Sequence, residues 1–183
     1  KRGVRVFIMY PMNALVSDQV SRLRRLIGDK DDKFLQVFRE TCGNGARRPQ
    51  FGMYTGRTPY PGNIATKTQD KKLAKTLEQI ACLNGDNQEF LEQLENSGKV
   101  PSKKHLEEFI LHLKEGEHVT SPEDAELITR FEMQKCTPDI LITNYSMLEY
   151  MLLRPREKNI WDDTTKWLHS DVQNKILFII DEA

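Results

Sequence analysis

Stretches rich in β-branched and aromatic residues recur along the chain and predict the strands of a sheet. They cover Val4–Tyr10, Gln50–Tyr54, Pro138–Asn144 and Ile176–Ile180. The last is an unbroken apolar run, typical of a strand buried on both faces of a parallel sheet. Asp181 and Glu182 follow it directly. On its own this segment is equally compatible with a core strand that runs into an acidic turn.

Helical periodicity follows the first and third of these strands. Over Met12–Ile27 the residues Val16, Val20, Leu23 and Ile27 form one apolar stripe, and Gly28 is a plausible end of that helix. Two further helices are predicted over Ser146–Leu153 and near Trp161–Leu168. A strand followed by a tight turn and a helix is the opening of a βαβ unit.

Residues 64–135 are charged and helical in period, and no segment among them predicts a strand. Two apolar stripes occur, one over Leu73–Ile80 and one over Leu106–Leu113. Ser121-Pro122-Glu123-Asp124 has the composition of a helix start. We therefore predict three parts: residues 1–63, a helical insertion of three or four helices over 64–135, and residues 136–183.

Net charge is zero over the 183 residues, but the charges are unevenly placed. Residues 1–48 contain 11 basic and 5 acidic residues, a net charge of +6, whereas residues 67–135 contain 10 and 14, a net charge of −4. The average thus hides a basic segment that suits nucleic acid and an acidic one that does not.

Three widely spaced cysteines argue against a disulfide framework and a structural zinc site, and they favour a reducing cytoplasm. His105, His112 and His118 are too irregularly placed for metal ligands. No apolar run approaches the roughly 20 residues of a membrane helix, so no membrane contact is expected. Because the chain starts at Lys1 and stops just after its acidic pair, we expect it to be a piece of a longer protein.

Polar residues with useful chemistry follow the predicted strands. Asp181 and Glu182 suit Mg²⁺, which binds one or two carboxylates together with phosphate oxygens and water. Thr55–Gly62 combines an Arg with Thr hydroxyls and Gly amides, so it suits a phosphate but is also compatible with a plain loop. Thr143 and Asn144 follow another strand, and the alternative interpretation is that they cap the next helix.

Four segments, in order, resemble the motifs of the first motor lobe of superfamily-two DEAD/DEAH-box helicases. They are Pro11-Met12-Asn13-Ala14-Leu15 with Asp18-Gln19 (motif Ia), Thr55-Gly56 (motif Ib), Ile142–Leu148 (motif Ic) and Asp181-Glu182-Ala183 (the start of motif II). The sequences Tyr-Pro-Met-Asn-Ala-Leu and Thr-Asn-Tyr-Ser-Met-Leu are more similar to the large bacterial members of the family, some from anti-phage defence systems, than to the small RNA chaperone type. Residues 64–135 lie outside the resemblance.

The resemblance implies an α/β fold, a three-layer RecA-like parallel sheet of the P-loop NTPase type, in a cytoplasmic ATP-dependent helicase or translocase. ATP and Mg²⁺ are the implied cofactors, with both carboxylates at the nucleotide, Asp181 on the metal and Glu182 on the attacking water. The partner is single- or double-stranded nucleic acid, DNA favoured over RNA, and the acidic insertion is expected to dock a protein. The implied contacts to the nucleic-acid backbone are Pro11, Asn13, Ala14, Thr55, Gly56, Arg57, Thr143 and Asn144.

The chain also departs from the family pattern. No P-loop ending in Gly-Lys-Ser or Gly-Lys-Thr occurs in it, and the segments that follow motif II in the family are absent. We therefore expect this segment to be inactive as an ATPase by itself. The alternative is a degenerate lobe that serves as a non-catalytic nucleic-acid- or protein-binding module. A P-loop encoded ahead of Lys1 would favour the enzyme over this alternative.

Overall fold

The computed structural model describes residues 1–11, 13–29, 31–59, 71–82, 87–117 and 119–181, with the backbone alone for residues 13–15. The chain divides into two compact units. Unit 1 consists of Lys1–Val20, Pro49–Pro59 and Leu127–Ala183, and unit 2 of Ser21–Arg48 and Tyr60–Glu126. Residues 127–135, which the sequence pattern groups with the insertion, thus belong to unit 1.

A five-stranded sheet forms the centre of unit 1. Its strands are β1 (Val6–Tyr10), β2 (Phe51–Tyr54), β3 (Glu126–Leu127), β4 (Ile140–Asn144) and β5 (Leu177–Ile180), in the order β3-β2-β4-β1-β5. β1 pairs in parallel with β4 and β5, and β2 pairs in parallel with β4. The predicted fold class is confirmed: this is an α/β structure whose parallel sheet and helices are consistent with a three-layer RecA-like fold.

Most helices lie where the periodicity predicts them, but the helix over Lys33–Cys42 falls in a stretch for which no helix was predicted. They are α1 (Asn13–Ile27), α2 (Lys33–Cys42), α3 (Lys71–Ala81), α4 (Gln88–Asn96), α5 (Leu106–Lys114), α6 (Arg130–Lys135), α7 (Tyr145–Leu153) and α8 (Lys158–Leu168), with a 3₁₀ turn at Pro155–Glu157. Across the described ranges, none of them combines the length and apolar character needed to span a membrane.

The core of unit 1 gathers apolar side chains from the sheet and from α6, α7 and α8. Its buried members are Val4, Phe7, Tyr54, Leu127, Met133, Leu141, Met147, Met151 and Ile160. The Phe7 ring stacks between Trp161 and Phe178, with centroids 5.8 and 5.1 Å away. Burying each large side chain contributes about 1.5–3 kcal/mol, so this cluster stabilises the packing of the three helices on the sheet.

Unit 2 is built on the two apolar stripes of the predicted insertion. Helices α3 and α5 pack against each other, with Leu77 and Leu113 fully buried. A salt bridge between Glu78 and Lys114 joins the same two helices at the surface. The predicted stripes are therefore the faces by which these helices pack.

The predicted helix start at Ser121-Pro122-Glu123-Asp124 is wrong. Asp124 is buried, and its carboxylate accepts hydrogen bonds from Lys103 Nζ, the Lys104 amide and the Ser121 amide at 3.0 Å each. That carboxylate thus organises a loop instead of favouring a helical first turn. The short strand Glu126–Leu127 follows, so the expectation that this region contains no strand is wrong as well.

The predicted burial of the last strand on both faces is also wrong for this chain. β5 is an edge strand, and Leu177, Phe178, Ile179 and Ile180 are each between 42% and 55% exposed. An unbroken apolar run indicates that both faces of a strand are apolar. It does not show which segment covers them, and the described residues leave about half of each β5 side chain exposed.

Candidate functional site

The described residues that follow β1, β2, β4 and β5 lie at one edge of the sheet, because these strands run parallel. In the parallel register, Tyr10 lies opposite Asn144, Tyr54 opposite Thr143, and Met9 opposite Ile180. Pro11, Thr55 and Asp181 come next after β1, β2 and β5, so all three lie at the carboxyl edge, where α/β sheets bind their ligands. This is a shared location, and the role of each residue stays a prediction.

The five residues 55–59, here called the Thr55 loop, form a turn closed by its own hydroxyl groups. The Thr58 hydroxyl accepts from the Thr55 amide at 2.8 Å and donates to the Met53 carbonyl. The Thr55 hydroxyl accepts from the Arg57 amide at 3.2 Å. Both threonine side chains are buried, so the expectation that their hydroxyls face a phosphate is not met. They shape the loop instead.

Gly56 and Arg57 are the exposed residues of the Thr55 loop. Within the described part of the chain, the Gly56 amide has no hydrogen-bond partner, and a Cβ built on Gly56 would meet no atom within 4 Å. An exposed amide beside a guanidinium is a suitable pair of donors for a phosphate oxygen. The loop therefore exposes Gly56 and Arg57 and buries its two threonines.

The end of β4 is tied to this loop and to the next helix. The Thr143 side chain is fully buried, and its hydroxyl donates to the Tyr54 carbonyl at 2.8 Å. Asn144 Oδ1 accepts from the Met147 amide at 2.8 Å and caps α7. Asn144 thus does what the alternative interpretation expected, whereas Thr143 joins β4 to β2.

The end of β1 leads into α1. Pro11 is exposed, and α1 begins at Asn13, so the first amides of this helix lie at the carboxyl edge. Such amides favour anions. The side chains of the predicted contacts Asn13 and Ala14 lie outside the described residues.

Asp181 is exposed and directly follows β5, and its amide donates to the Met9 carbonyl at 3.1 Å. Glu182, the predicted catalytic residue, lies outside the described residues. No group of three His, Cys, Asp or Glu residues that could hold a metal ion occurs in the parts of the chain that the structure describes. A single accessible carboxylate still fits Mg²⁺, which takes most of its ligands from phosphate and water.

A buried polar network lies directly behind the Thr55 loop, and the sequence analysis missed it. The Tyr54 hydroxyl donates to Glu157 Oε1 at 2.7 Å and accepts from Gln134 Nε2 at 2.8 Å. Burial, together with the bond to Glu157, raises the pKa of Tyr54 well above its usual value of 10.0. The three residues come from β2, α6 and the 3₁₀ turn, and no local pattern in the sequence links them.

Comparison with known proteins gives one informative match. The chain is 38% identical to the Druantia protein DruE of Escherichia coli (strain UMEA 4076-1), in an alignment that covers 99% of this chain. The chain spans only 11% of the length of that relative. No protein-family model matches the chain, and no solved structure does.

Proposed function

We propose that this chain is part of an ATP-dependent nucleic-acid helicase or translocase that acts in bacterial defence. In that protein the chain would supply contacts to the nucleic-acid backbone and a carboxylate that binds Mg²⁺. The observation that carries the proposal is the arrival of Pro11, the Thr55 loop and Asp181 at one carboxyl edge. The similarity to Druantia protein DruE over nearly the whole chain supports the defence context.

The nucleic-acid contacts centre on the Thr55 loop. The Gly56 amide and the Arg57 side chain are its exposed donors, and the start of α1 adds further amides at the same edge. Contacts of this kind bind phosphates and fix the position of the strand without reading its sequence. This suits a protein that moves along a nucleic-acid strand, here called the track. We propose DNA over RNA as the track. Thr55, Thr143 and Asn144 would act mainly by holding the edge in shape.

The nucleotide contacts belong to Asp181 and Glu182. Asp181 would bind Mg²⁺, and Glu182 would orient the water that attacks the terminal phosphate. When bound, ATP would supply the phosphoryl group, and Mg²⁺ would neutralise the charge that develops during its transfer. Both carboxylates follow β5, so the pairing of β5 with β1 links the nucleotide side of the edge to the residues that follow β1.

The acidic helical segment is proposed to bind a protein and not the track. Residues 67–135 have a net charge of −4, which disfavours contact with phosphates. The exposed acids of α5, Glu107 and Glu108, contribute to this charge. The proposed partner is a protein with a basic surface.

Replacing Arg57 with Ala in the intact protein tests the track contacts. Binding of fluorescent single strands of two unrelated sequences is measured between about 50 and 200 mM salt. We expect a similar loss of affinity for both sequences and a reduction of the salt slope by about one, because one phosphate contact disappears.

Arg154→Ala is the matched control. Arg154 is also an exposed arginine of unit 1, but it follows the far end of α7, about 13 Å of helix away from the carboxyl edge. A sequence-selective loss in Arg57→Ala would mean that Arg57 reads bases. Equal behaviour of the two variants would contradict the proposed track, and tighter binding to RNA of the same sequence would contradict the choice of DNA.

A further inference from the structure

Both ends of the Thr55 loop are bonded to one residue, Arg130, at the start of α6. The Arg130 guanidinium donates to the Thr55 carbonyl, and the Arg130 backbone amide donates to the Pro59 carbonyl at 3.1 Å. The guanidinium carbon also lies 5.4 Å from the centre of the Tyr54 ring. The same side chain therefore contacts the last residue of β2 and the first residue of the loop.

The helix that carries Arg130 is itself firmly fixed. Thr129 caps α6 in a capping box with Glu132, and both side chains are fully buried. Four residues after Arg130, Gln134 donates to the Tyr54 hydroxyl at 2.8 Å. The side chains at positions i and i+4 of this helix thus reach the same strand end, which makes α6 a rigid support for the loop.

We propose that Arg130 is a positioning residue for nucleic-acid binding: it holds the Thr55 loop in the conformation that presents the Gly56 amide and Arg57 to a phosphate. This inference rests on the proposed function of the loop. It assigns a role to a residue outside all the motifs, one that lies 75 positions from the carbonyl it binds.

The geometry favours positioning over direct contact. Arg130 is half-buried, and its guanidinium is engaged with a carbonyl and an aromatic face, while Gly56 and Arg57 are exposed. A lysine would keep the charge but lose the planar group that contacts the ring and the carbonyl together. Arg130→Lys therefore separates a role of the charge from a role of the planar contact.

Limited trypsin digestion of the chain tests the positioning without any nucleic acid. Trypsin cleaves after Arg57, and the rate at this bond is followed by mass spectrometry relative to the other tryptic sites. In Arg130→Ala we expect cleavage after Arg57 to become about tenfold faster, because the loop loses a charge-assisted hydrogen bond. Arg130→Lys should fall between this variant and the native chain, and Arg154→Ala should match the native chain.

An unchanged relative rate after Arg57, in an Arg130→Ala chain whose circular dichroism shows that it stays folded, would overturn the proposal. If Arg130→Ala unfolds the chain, cleavage accelerates at every site. The relative rate after Arg57 is then measured in the milder Arg130→Lys, where an unchanged value would overturn the proposal. A selective increase at Arg57 supports the proposal, and so does a larger effect in Ala than in Lys.

Binding by the intact protein separates this inference from the proposed function. We expect Arg130→Ala to weaken single-strand binding, to change the salt slope by less than Arg57→Ala does, and to add little in the double variant, because both changes act through one loop. Full additivity, or normal binding in Arg130→Ala while Arg57→Ala is impaired, would overturn the positioning role alone. Normal binding in Arg57→Ala would instead refute the proposed function of the loop.

Discussion

Replacing Tyr54 with Phe removes one hydroxyl group from the buried network and leaves the ring in place. The ring stays in the core of unit 1 and stays in contact with Arg130. The hydroxyl is lost as donor to Glu157 and as acceptor from Gln134. The substitution therefore isolates the polar contribution of Tyr54 from its packing.

The expected cost follows from the burial of the partners. Glu157 and Gln134 are 2% and 3% exposed, so water cannot replace the lost hydroxyl. Glu157 Oε2 has no hydrogen-bond partner among the described residues, which leaves Oε1 as the bonded oxygen. A hydrogen bond to a charged group contributes about 1.5–3 kcal/mol and a neutral one about 1 kcal/mol, so we expect a loss of about 3 kcal/mol in the free energy of unfolding.

Urea unfolding at pH 7 measures this loss, which should appear as a lower midpoint with an unchanged slope m. Tyr150→Phe is the control, because Tyr150 is an exposed tyrosine of the same unit and its substitution should cost less than about 0.5 kcal/mol. In a Glu157→Gln background the cost of Tyr54→Phe should shrink. A loss below about 0.5 kcal/mol in the native background would refute the account of this network.

The same substitution changes the dependence of stability on pH. Because the pKa of Tyr54 in the folded chain is raised above 10.0, folded Tyr54 keeps its proton at pH values where the unfolded chain loses it. Its contribution is therefore complete below pH 10 and declines as pH rises further, by up to about 1.4 kcal/mol per pH unit. Tyr54→Phe should make the alkaline loss of stability shallower, and an identical alkaline profile would contradict the raised pKa.

Three further predictions concern the nucleotide, the helical segment and one glycine. Residues 1–183 alone should show no nucleic-acid-stimulated ATP hydrolysis, because the sequence contains no P-loop; turnover that survives repurification and disappears in Glu182→Gln would contradict this. Replacing residues 64–125 with a short linker, which spares α6, should leave single-strand affinity within about twofold in a variant whose circular dichroism shows a folded lobe. A larger loss would mean that the acidic segment contacts the track. Gly98→Ala should cost more than about 2 kcal/mol in urea unfolding, since Gly98 has φ +69° and a Cβ there would lie 2.2 Å from the Ser21 carbonyl oxygen; a neutral result would contradict the close backbone approach.

The fold could be predicted from the sequence wherever a single period extends through an element. Val16, Val20 and Ile27 define α1, and all three are buried on one face. Parallel topology then brings residues far apart in sequence, such as Thr55 and Asn144, to one edge. Local periodicity and topology together were sufficient for the location of the candidate site.

What could not be predicted depends on partners that are distant in sequence. Arg130 bonds to a carbonyl 75 positions away, and Tyr54 to a carboxylate 103 positions away, so no spacing rule reveals either pair. Ser121-Pro122-Glu123-Asp124 failed as a helix start for a related reason. Its Asp124 carboxylate accepts a hydrogen bond from Lys103, a partner that a local capping pattern does not include.

The two functions assigned to the carboxyl edge differ in how much of their support lies within this chain. The Thr55 loop is held by its own threonines, by Thr143 and by Arg130, all from unit 1. Asp181, by contrast, follows an edge strand whose four apolar residues are exposed. Exposed apolar strands with a free edge readily pair with further strands. The loop proposed to contact the track is therefore held in place by residues of unit 1, whereas the carboxylate proposed to bind Mg²⁺ follows an exposed edge strand.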